Sequence, residues 1–371
     1  MRQYYQKLAQ NIVEYACEIK PGERVLIDAS CVDTKFLKIL VAQIFAAGGL
    51  PFVKFGVQEI GKEVMKNMTP EYATLKTQFD LPMMKEMDAY IGIGGSQNCF
   101  DDSDIPAKNM QIYSTHYVKP VHFEERVNNT KWVILSWPTP GFAQSAQIST
   151  DAFEEMFFKV CTLDYAKMSR AMDALVALME KTDKVHIKSP GTDLVFSIKG
   201  MKAIKCDGKM NIPDGEVYTA PIKESVNGVI TYNIPSMENG TRFDNICFHI
   251  ENGKIVEATA GANTDKLNEI LNTDEGARFF GEFAIGVNPY IAKPMLDTLF
   301  DEKICGSIHL TPGGCYDDAD NGNQSAVHWD LVLCQLPECG GGEIWFDDVL
   351  IRKDGRFVAE ELLGLNPENL I

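Results

Sequence analysis

The stretch that decides the fold is PGERVLIDASCVDTKFLKILVAQIFAAGGLPFVKF, residues 21–55. Its apolar run Val25-Leu26-Ile27 predicts a short buried strand, and a helical pattern over residues 33–47 follows. A second strand is predicted over residues 51–55. Two strands joined by a helix of this length indicate a βαβ unit, because neighbouring parallel strands need a crossover connection.

The same alternation extends through the first half of the chain. Helical patterns over residues 3–18 and 58–87 and apolar strands over residues 89–93 and 132–137 predict a Rossmann-like N-terminal α/β domain with a mostly parallel sheet. A long helical stretch over residues 150–182 ends this half.

Short alternating segments separated by turn residues dominate after Lys184. The predicted strand segments are 184–188, 193–199, 217–220, 228–233, 243–259, 305–310, 327–334 and 344–351, with helical patterns near 264–272 and 289–300. The sequence therefore predicts two domains, an N-terminal α/β domain over residues 1–182 and a β-rich (α+β) C-terminal domain over residues 183–371.

Composition argues against several classes of function. The chain has 371 residues and a formal net charge of −17, which argues against nucleic acid as a partner. No apolar window reaches the roughly 18 uninterrupted residues of a membrane span, and Met1 is followed by polar residues rather than by a signal core. The ten cysteines form no CxxC pair and are expected to be free thiols. We therefore expect a soluble cytoplasmic protein with no membrane partner.

The familiar catalytic and nucleotide motifs are missing. After the strand that ends at Ile93, the segment Gly92-Ile93-Gly94-Gly95-Ser96-Gln97 satisfies GxG, but Gln97 stands where a dinucleotide fingerprint has its third glycine. There is no GxxxxGK[ST], GxSxG or HExxH. No residue is assigned to an organic cofactor.

Two of the six histidines have unusual settings. His116, His122, His186 and His249 look like packed or surface residues. His309 ends a short strand before the turn Thr311-Pro312-Gly313-Gly314, and His328 opens His-Trp-Asp-Leu-Val. Because side chains alternate along a strand, His328 and Asp330 should share one face, where they could bind one metal ion.

Two glutamates strengthen the suspicion of a metal site. Glu216 follows Asn211-Ile212-Pro213-Asp214-Gly215 at a turn-to-strand junction, and Glu282 lies in the apolar segment 280–286. A buried carboxylate without a partner is unfavourable by several kcal/mol, so a cation would stabilise it. A structural carboxylate in a salt bridge is the alternative for each residue.

Several segments together resemble the M29 metallopeptidases, the family of the aminopeptidase T and aminopeptidase S type. The likeness covers nearly the whole chain in the same order. The matching segments are 211–221, 281–286, 300–303 leading to 307–310, and 327–330, with weaker matches at 137–140, 148–155 and 353–358.

This resemblance implies a dinuclear metallo-aminopeptidase that hydrolyses N-terminal residues from short peptides with a hydroxide activated by two divalent ions, zinc, cobalt or manganese. It also implies a homodimer. The implied metal ligands are Glu216, Glu282, Glu302, His309, His328 and Asp330, with Glu282 bridging both ions. Tyr316 would stabilise the oxyanion, and Glu216 would also carry a proton to the leaving amine.

Two rival functions remain open at this point. The segment Thr311–Cys315 departs from the family pattern, so a ligand-binding or assembly protein could have kept the fold and lost catalysis. The second rival is a nicotinamide-dependent enzyme that uses the loop at residues 92–97.

Overall fold

A computed structural model describes residues 1–98, 101–238 and 241–371 of the chain. In chain order, the strands β1 to β20 are Arg24–Ser30, Leu50–Gly56, Ala89–Gly94, Lys131–Ser136, Lys184–Ser189, Thr192–Ser197, Ile204–Cys206, Asn211–Ile212, Glu216–Thr219, Asn227–Thr231, Ser236–Glu238, Thr241–Phe243, Cys247–Glu251, Lys254–Thr259, Phe280–Gly286, Ser307–Pro312, Val332–Cys334, Glu343–Phe346, Val349–Lys353 and Arg356–Phe357. The α-helices α1 to α12 are Arg2–Gln10, Thr34–Ala46, Gln58–Lys66, Pro70–Lys85, Ala107–Tyr113, Val127–Asn129, Pro140–Ser145, Thr150–Cys161, Tyr165–Met179, Thr264–Leu271, Thr298–Asp301 and Pro367–Leu370. Wider π-type turns continue α1 over Asn11–Ala16 and α5 over Ser114–Arg126.

The N-terminal unit is built around a parallel sheet. It comprises residues 1–162 and 208–213, and its strands lie in the order β2-β1-β3-β4-β8. The chain passes from β1 to β2 on one side and then crosses to β3 on the other, which is a doubly wound arrangement. Val25, Leu26 and Ile27 are buried in β1, as their apolar run predicts. The predicted α/β fold class of this half is confirmed.

The C-terminal unit is dominated by antiparallel sheets. It comprises residues 163–207 and 214–371 and contains an eight-stranded sheet, β14-β13-β10-β6-β5-β18-β19-β20. A five-stranded sheet has the order β17-β16-β15-β9-β7, and β11 pairs with β12. Every residue of β15 is buried, so the middle strand of the five-stranded sheet crosses the core of the unit. The predicted β-rich character of this half is confirmed.

Three predicted elements differ from the structure. The helical stretch at 150–182 is two helices, because Asp164 caps α9 by accepting a hydrogen bond from the backbone N–H of Lys167. The helix predicted near 289–300 is confined to Thr298–Asp301, since Pro289 and Pro294 interrupt helical hydrogen bonding. The strand predicted over 327–334 is regular only over Val332–Cys334, although His328 forms an isolated bridge with Gly313.

The two compact units divide the chain at Thr162 and Leu163, with residues 208–213 returning to the N-terminal unit. The predicted boundary at residue 182 concerns domains that fold independently, whereas these units are defined by compactness. That boundary therefore stays a prediction. Among the described helices, none combines the length and the apolar character needed to cross a membrane. Nine cysteines are free thiols, and Cys99 lies outside the described residues.

Candidate metal centre

Three adjacent strands of the five-stranded sheet bring the first site residues together. Glu216 opens β9, Glu282 lies in β15, and His309 lies in β16. β15 pairs with both neighbours, so that Ala284 lies opposite His309 and Gly286 lies opposite Glu216. Before Glu216, the backbone of Gly215 has φ +136°, a conformation that favours glycine. The turn-to-strand junction predicted for Glu216 is therefore present.

Glu216, Glu282 and His309 form a first buried group. One ligand atom from each residue lies within 4.8 Å of the other two, and their relative exposures are 5%, 3% and 1%. The Nε2 atom of His309 lies 2.9 Å from Oε1 of Glu282 and 3.7 Å from Oε2 of Glu216. Two carboxylates and an imidazole thus converge on one point inside the sheet.

Glu282, His328 and Asp330 form a second group with the same spacing limit of 4.8 Å. The Nε2 atom of His328 lies 3.4 Å from Oε2 of Glu282 and 3.4 Å from Oδ1 of Asp330. Trp329 is buried in another direction, where its indole N–H donates to the Ser236 hydroxyl at 2.9 Å. His328 and Asp330 therefore share a side of the chain, as the alternation of side chains predicts.

Hydrogen bonds hold the second group in place. The Nδ1 atom of His328 lies 2.7 Å from the carbonyl oxygen of Gly314, and when protonated it donates to that oxygen. This bond leaves Nε2 of His328 available as a ligand. The Thr311 hydroxyl donates to Oδ1 of Asp330 at 2.6 Å.

Glu302 lies beside this pair of groups but belongs to neither of them. Its carboxylate contacts the ammonium group of Lys303, which is itself only 1% exposed. The Nζ atom of Lys303 also lies 3.5 Å from Glu216 and 4.0 Å from Asp214. Burial raises the pKa of Glu302 well above its usual range, and the charges of Glu216 and Asp330 raise it further, against Lys303.

The charges of the cluster are strongly unbalanced. Burial raises the pKa of Glu216, although the charges of Lys303 and His309 oppose this shift. Burial would lower the pKa of both imidazoles, but the surrounding carboxylates outweigh it and raise the pKa to about 10 for His309 and to about 11 for His328. Burial alone would raise the pKa of Glu282, whereas the hydrogen bond with His309 and the nearby imidazole of His328 lower it. The cluster therefore favours added positive charge.

The donor set fits divalent metal ions. Within the described part of the chain, three buried atoms of this cluster have no hydrogen-bond partner, namely Oε2 of Glu216, Nδ1 of His309 and Nε2 of His328. Buried polar atoms are normally hydrogen-bonded, so unpaired carboxylate and imidazole atoms in one cluster indicate a site that can bind a cation. Carboxylates and imidazoles are suitable ligands for zinc, cobalt and manganese.

Tyr316 lies at the open side of the cluster. Its ring centroid is 4.6 Å from that of His328 and 5.7 Å from that of Tyr218, and the residue is 48% exposed. Partial burial and then the charges of Glu282 and Asp330 raise the pKa of its hydroxyl. Among the described residues, none forms a hydrogen bond with this hydroxyl, so it can donate to a bound molecule.

Two residues of this centre are absent from the sequence prediction. Lys303 is the nearest fixed cation, and Thr311 orients Asp330. A lysine between the apolar residues Phe300 and Ile304 was a detectable signal, because a buried lysine needs carboxylate partners. The role of Thr311 depends on the cross-strand position of Asp330 and has no signal in the local sequence.

A buried cluster of carboxylates and imidazoles is a donor set found in metal-dependent hydrolases. The family model of the thermophilic metalloproteases, M29, matches residues 1–357, and the chain therefore belongs to this family. The predicted family is confirmed.

Named relatives extend this finding. The chain is 28% identical to Aminopeptidase T of Thermus thermophilus over 378 residues, covering 88% of this chain and 91% of that protein. It is 25% identical to Aminopeptidase AmpS of Bacillus subtilis, covering 91% of each. The structure of wild-type AmpT from Thermus thermophilus has a TM-score of 0.77 at 24% identity, covering 96% of this chain and 100% of that one. This last likeness supports the fold.

Proposed function

We propose that this chain is a dinuclear aminopeptidase that releases N-terminal residues from short peptides. The proposed ligands of two divalent ions, zinc, cobalt or manganese, are Glu216, Glu282, Glu302, His309, His328 and Asp330. The observation that carries the proposal is that Glu282 belongs to both close-spaced groups, one with Glu216 and His309 and one with His328 and Asp330. A shared carboxylate of this kind is suited to bridge two ions.

The ions would supply a water molecule of lowered pKa and a polarised peptide carbonyl. The protein would supply the proton transfers and the positioning of the substrate. The carboxylate of Glu216 has an unpaired Oε2 atom, and where this atom is not engaged as a ligand it would accept a proton from the attacking water and deliver it to the leaving amine. The free hydroxyl of Tyr316 can donate a hydrogen bond to the carbonyl oxygen as negative charge develops there.

The charge of the chain also suits a peptide N-terminus. A formal net charge of −17 attracts a protonated α-amine as it approaches. The relatives named above are aminopeptidases, which favours a peptidase over a binding protein without catalysis.

Assembly and location are part of the same proposal. We expect a homodimer, as the family resemblance implies, and sedimentation equilibrium would measure its mass directly. We expect a cytoplasmic location, which the nine free cysteines support, because reducing compartments keep thiols free.

The decisive experiment is Glu282→Gln, measured for metal content and for hydrolysis of aminoacyl-p-nitroanilides. The substitution removes the shared negative charge and keeps the shape of the side chain. We expect activity to fall by about 10³-fold or more and metal content to fall by at least one ion per chain. In the unchanged protein, a chelator should abolish activity and added metal should restore it.

Glu257→Gln is the matched control, because Glu257 is an exposed residue of β14 in the same unit. It should keep full activity and full metal content. If Glu282→Gln also kept both, the assignment of the centre would be wrong. If the unchanged protein bound metal but released no amino acid from any peptide, it would be a binding protein instead.

A further inference from the structure

A second concave site lies entirely within the N-terminal unit. It is a cavity of about 950 Å³, a volume within the usual range for small-molecule sites. Its lining includes Ser30, Gly56 and Gly94, which are the last residues of β1, β2 and β3. In a doubly wound sheet, ligands bind at the carboxyl ends of the strands where the strand order reverses, and that position lies between β1 and β3 here.

The floor of the cavity is a row of paired residues across the sheet. Asp28 of β1 lies opposite Lys54 of β2 and Gly92 of β3, and Gly92 lies opposite Ile134 of β4. Paired residues point to the same face of a parallel sheet, and the Tyr90 ring occupies the space above Gly92, where an added Cβ atom would lie 2.9 Å from it. A Cβ atom added at Gly94 would meet no protein atom within 4 Å. Gly94 therefore leaves the cavity open at this edge.

The Asp28 carboxylate lines this cavity and can accept further hydrogen bonds. The one hydrogen bond it accepts from the described residues comes from the Tyr90 hydroxyl, at a long 3.4 Å. Lys54 lies next to Asp28 in the sheet, but its ammonium group binds Asp80 at 2.9 Å instead. Lys76 binds the same Asp80 at 2.6 Å. A half-buried carboxylate is thus left without a cation of its own.

The charges around the cavity favour a positive ligand over a negative one. Lys54, Lys62 and Lys76 line it, and each is already paired with one or more carboxylates. Asp80, Asp101 and Asp104 are the partners of these lysines, and Asp104 also binds Lys66. Asp28 and Asp102 line the cavity without a lysine or arginine within 4 Å among the described residues. Burial, with the charge of nearby Arg126, lowers the pKa of His122 to about 4, so this imidazole is neutral at pH 7.

The remaining lining is aromatic and apolar. Tyr113 and Tyr117 are stacked with ring centroids 4.9 Å apart, and Met65, Met68 and Met110 cover another part of the cavity. The ammonium group of Lys76 already lies over the Tyr117 ring, 4.3 Å from its centroid, so the rings offer a ligand mainly apolar surface. Methionines adapt to irregular apolar shapes. One carboxylate among such side chains is suited to a cation that carries an apolar body.

We propose that this cavity binds an organic ammonium ion bearing an aromatic or bulky apolar group, with its charge on the Asp28 carboxylate and its body among the tyrosines and methionines. The site does not depend on the peptidase proposal. Free amino acids and peptides carry an ammonium group of this class, and so do simple aromatic amines.

Calorimetric titration of the full chain with three probes of similar shape tests the proposal. Phenethylamine is positively charged, 2-phenylethanol is neutral and phenylacetate is negatively charged. We expect phenethylamine to bind at least about tenfold more tightly than either of the others. Tighter binding of phenylacetate would overturn the proposal and indicate an anion site at the lysines.

Three variants localise the binding, and a fourth is the control. Asp28→Asn should weaken phenethylamine binding by about tenfold or more, because a charge-assisted hydrogen bond is lost. Gly94→Leu should abolish it by filling the cavity, and Gly94→Ala should have a smaller effect. Glu63→Gln, which removes an exposed charge from α3, should leave it unchanged.

Binding by Asp28→Asn at the affinity of the unchanged protein would overturn the proposal even if Gly94→Leu failed to fold. Glu282→Gln separates this site from the candidate metal centre. It should bind phenethylamine normally whether or not its peptidase activity and metal are lost. Loss of phenethylamine binding in Glu282→Gln would place the ammonium site at the metal centre and overturn the proposal.

Discussion

Asp80 in the N-terminal unit and Glu282 in the C-terminal unit are both carboxylates withdrawn from solvent, yet their surroundings compensate them differently. Asp80 binds the ammonium groups of Lys54 and Lys76 at 2.9 and 2.6 Å and accepts a hydrogen bond from the Tyr117 hydroxyl at 2.8 Å. Burial would raise the pKa of Asp80, but these partners outweigh it and lower the pKa to about 2. The protein itself neutralises this charge.

Glu282 has no lysine or arginine within 4 Å among the described residues. Its neighbours are the imidazoles of His309 and His328, which carry positive charge only when protonated. Lys303 pairs with Glu216 and Glu302 instead. A buried carboxylate is therefore not a sign of a metal site by itself. The informative feature is a group of buried carboxylates with too few fixed cations, because a bound metal is then the natural source of positive charge.

Lys303→Met should have the largest effect on stability. In the described structure, Lys303 is the one lysine within 4 Å of these carboxylates. The substitution therefore leaves Glu216, Glu302 and Asp214 without a lysine partner. We expect the free energy of unfolding to fall by about 3–5 kcal/mol, the usual loss when one partner of a buried ion pair is removed. Urea unfolding followed by circular dichroism would measure it. The loss should be larger after chelation, when no metal compensates the carboxylates.

Lys199→Met is the control for this measurement. Lys199 pairs with Asp183 at 3.0 Å, but both side chains are at least half exposed, so the effect should be within about 1 kcal/mol. Equal stability of Lys303→Met and the unchanged protein in the presence of chelator would contradict the idea that the cluster lacks cations.

Two tyrosines sharpen the comparison. The hydroxyl of Tyr117 is bound to Asp80, whereas among the described residues none bonds to that of Tyr316. Tyr316→Phe should lower kcat by about 10²-fold, the usual cost of losing one donor to an oxyanion, and should leave the thermal unfolding midpoint unchanged. Tyr117→Phe should do the reverse, with lower stability and normal kcat. A Tyr316→Phe protein with full kcat would remove Tyr316 from the mechanism.

Local hydrophobic patterns in the sequence predict those helices and strands whose formation depends mainly on residues close together in the chain. The apolar run at Val25-Leu26-Ile27 and the helical pattern after it correspond to β1 and α2, because burial and helix spacing are both written in consecutive residues. The pattern near 289–300 failed for the same local reason, since spacing alone does not count the effect of Pro289 and Pro294.

The candidate site depends on contacts between distant residues. The sequence singled out His309, His328, Glu216 and Glu282 as unusual, and the pairing of β9, β15 and β16 brings three of them together. That Glu282 belongs to two groups follows from cross-strand register, which one sequence does not reveal. The same holds for Lys54, whose choice of Asp80 over Asp28 depends on the position of α4.

The smallest effect that still tests the comparison is that of Asp80→Asn. Because the Asp80 side chain is 16% exposed, solvent screens its ion pairs, and we expect a loss of about 1–2 kcal/mol in the free energy of unfolding at pH 7. The pKa of Asp80 is lowered from 3.8 to about 2 in the folded protein, so its carboxylate stabilises the fold above about pH 4. That contribution is lost as the pH falls through about 2. The difference in the free energy of unfolding between the variant and the unchanged protein should therefore be constant from about pH 7 to about pH 5 and narrow below about pH 4.

Glu155→Gln, which breaks an exposed pair with Lys159, is the control and should show no measurable difference at any pH. A difference for Asp80→Asn that widened on acidification would mean that its lysines destabilise the carboxylate, and the contrast with Glu282 would then be wrong.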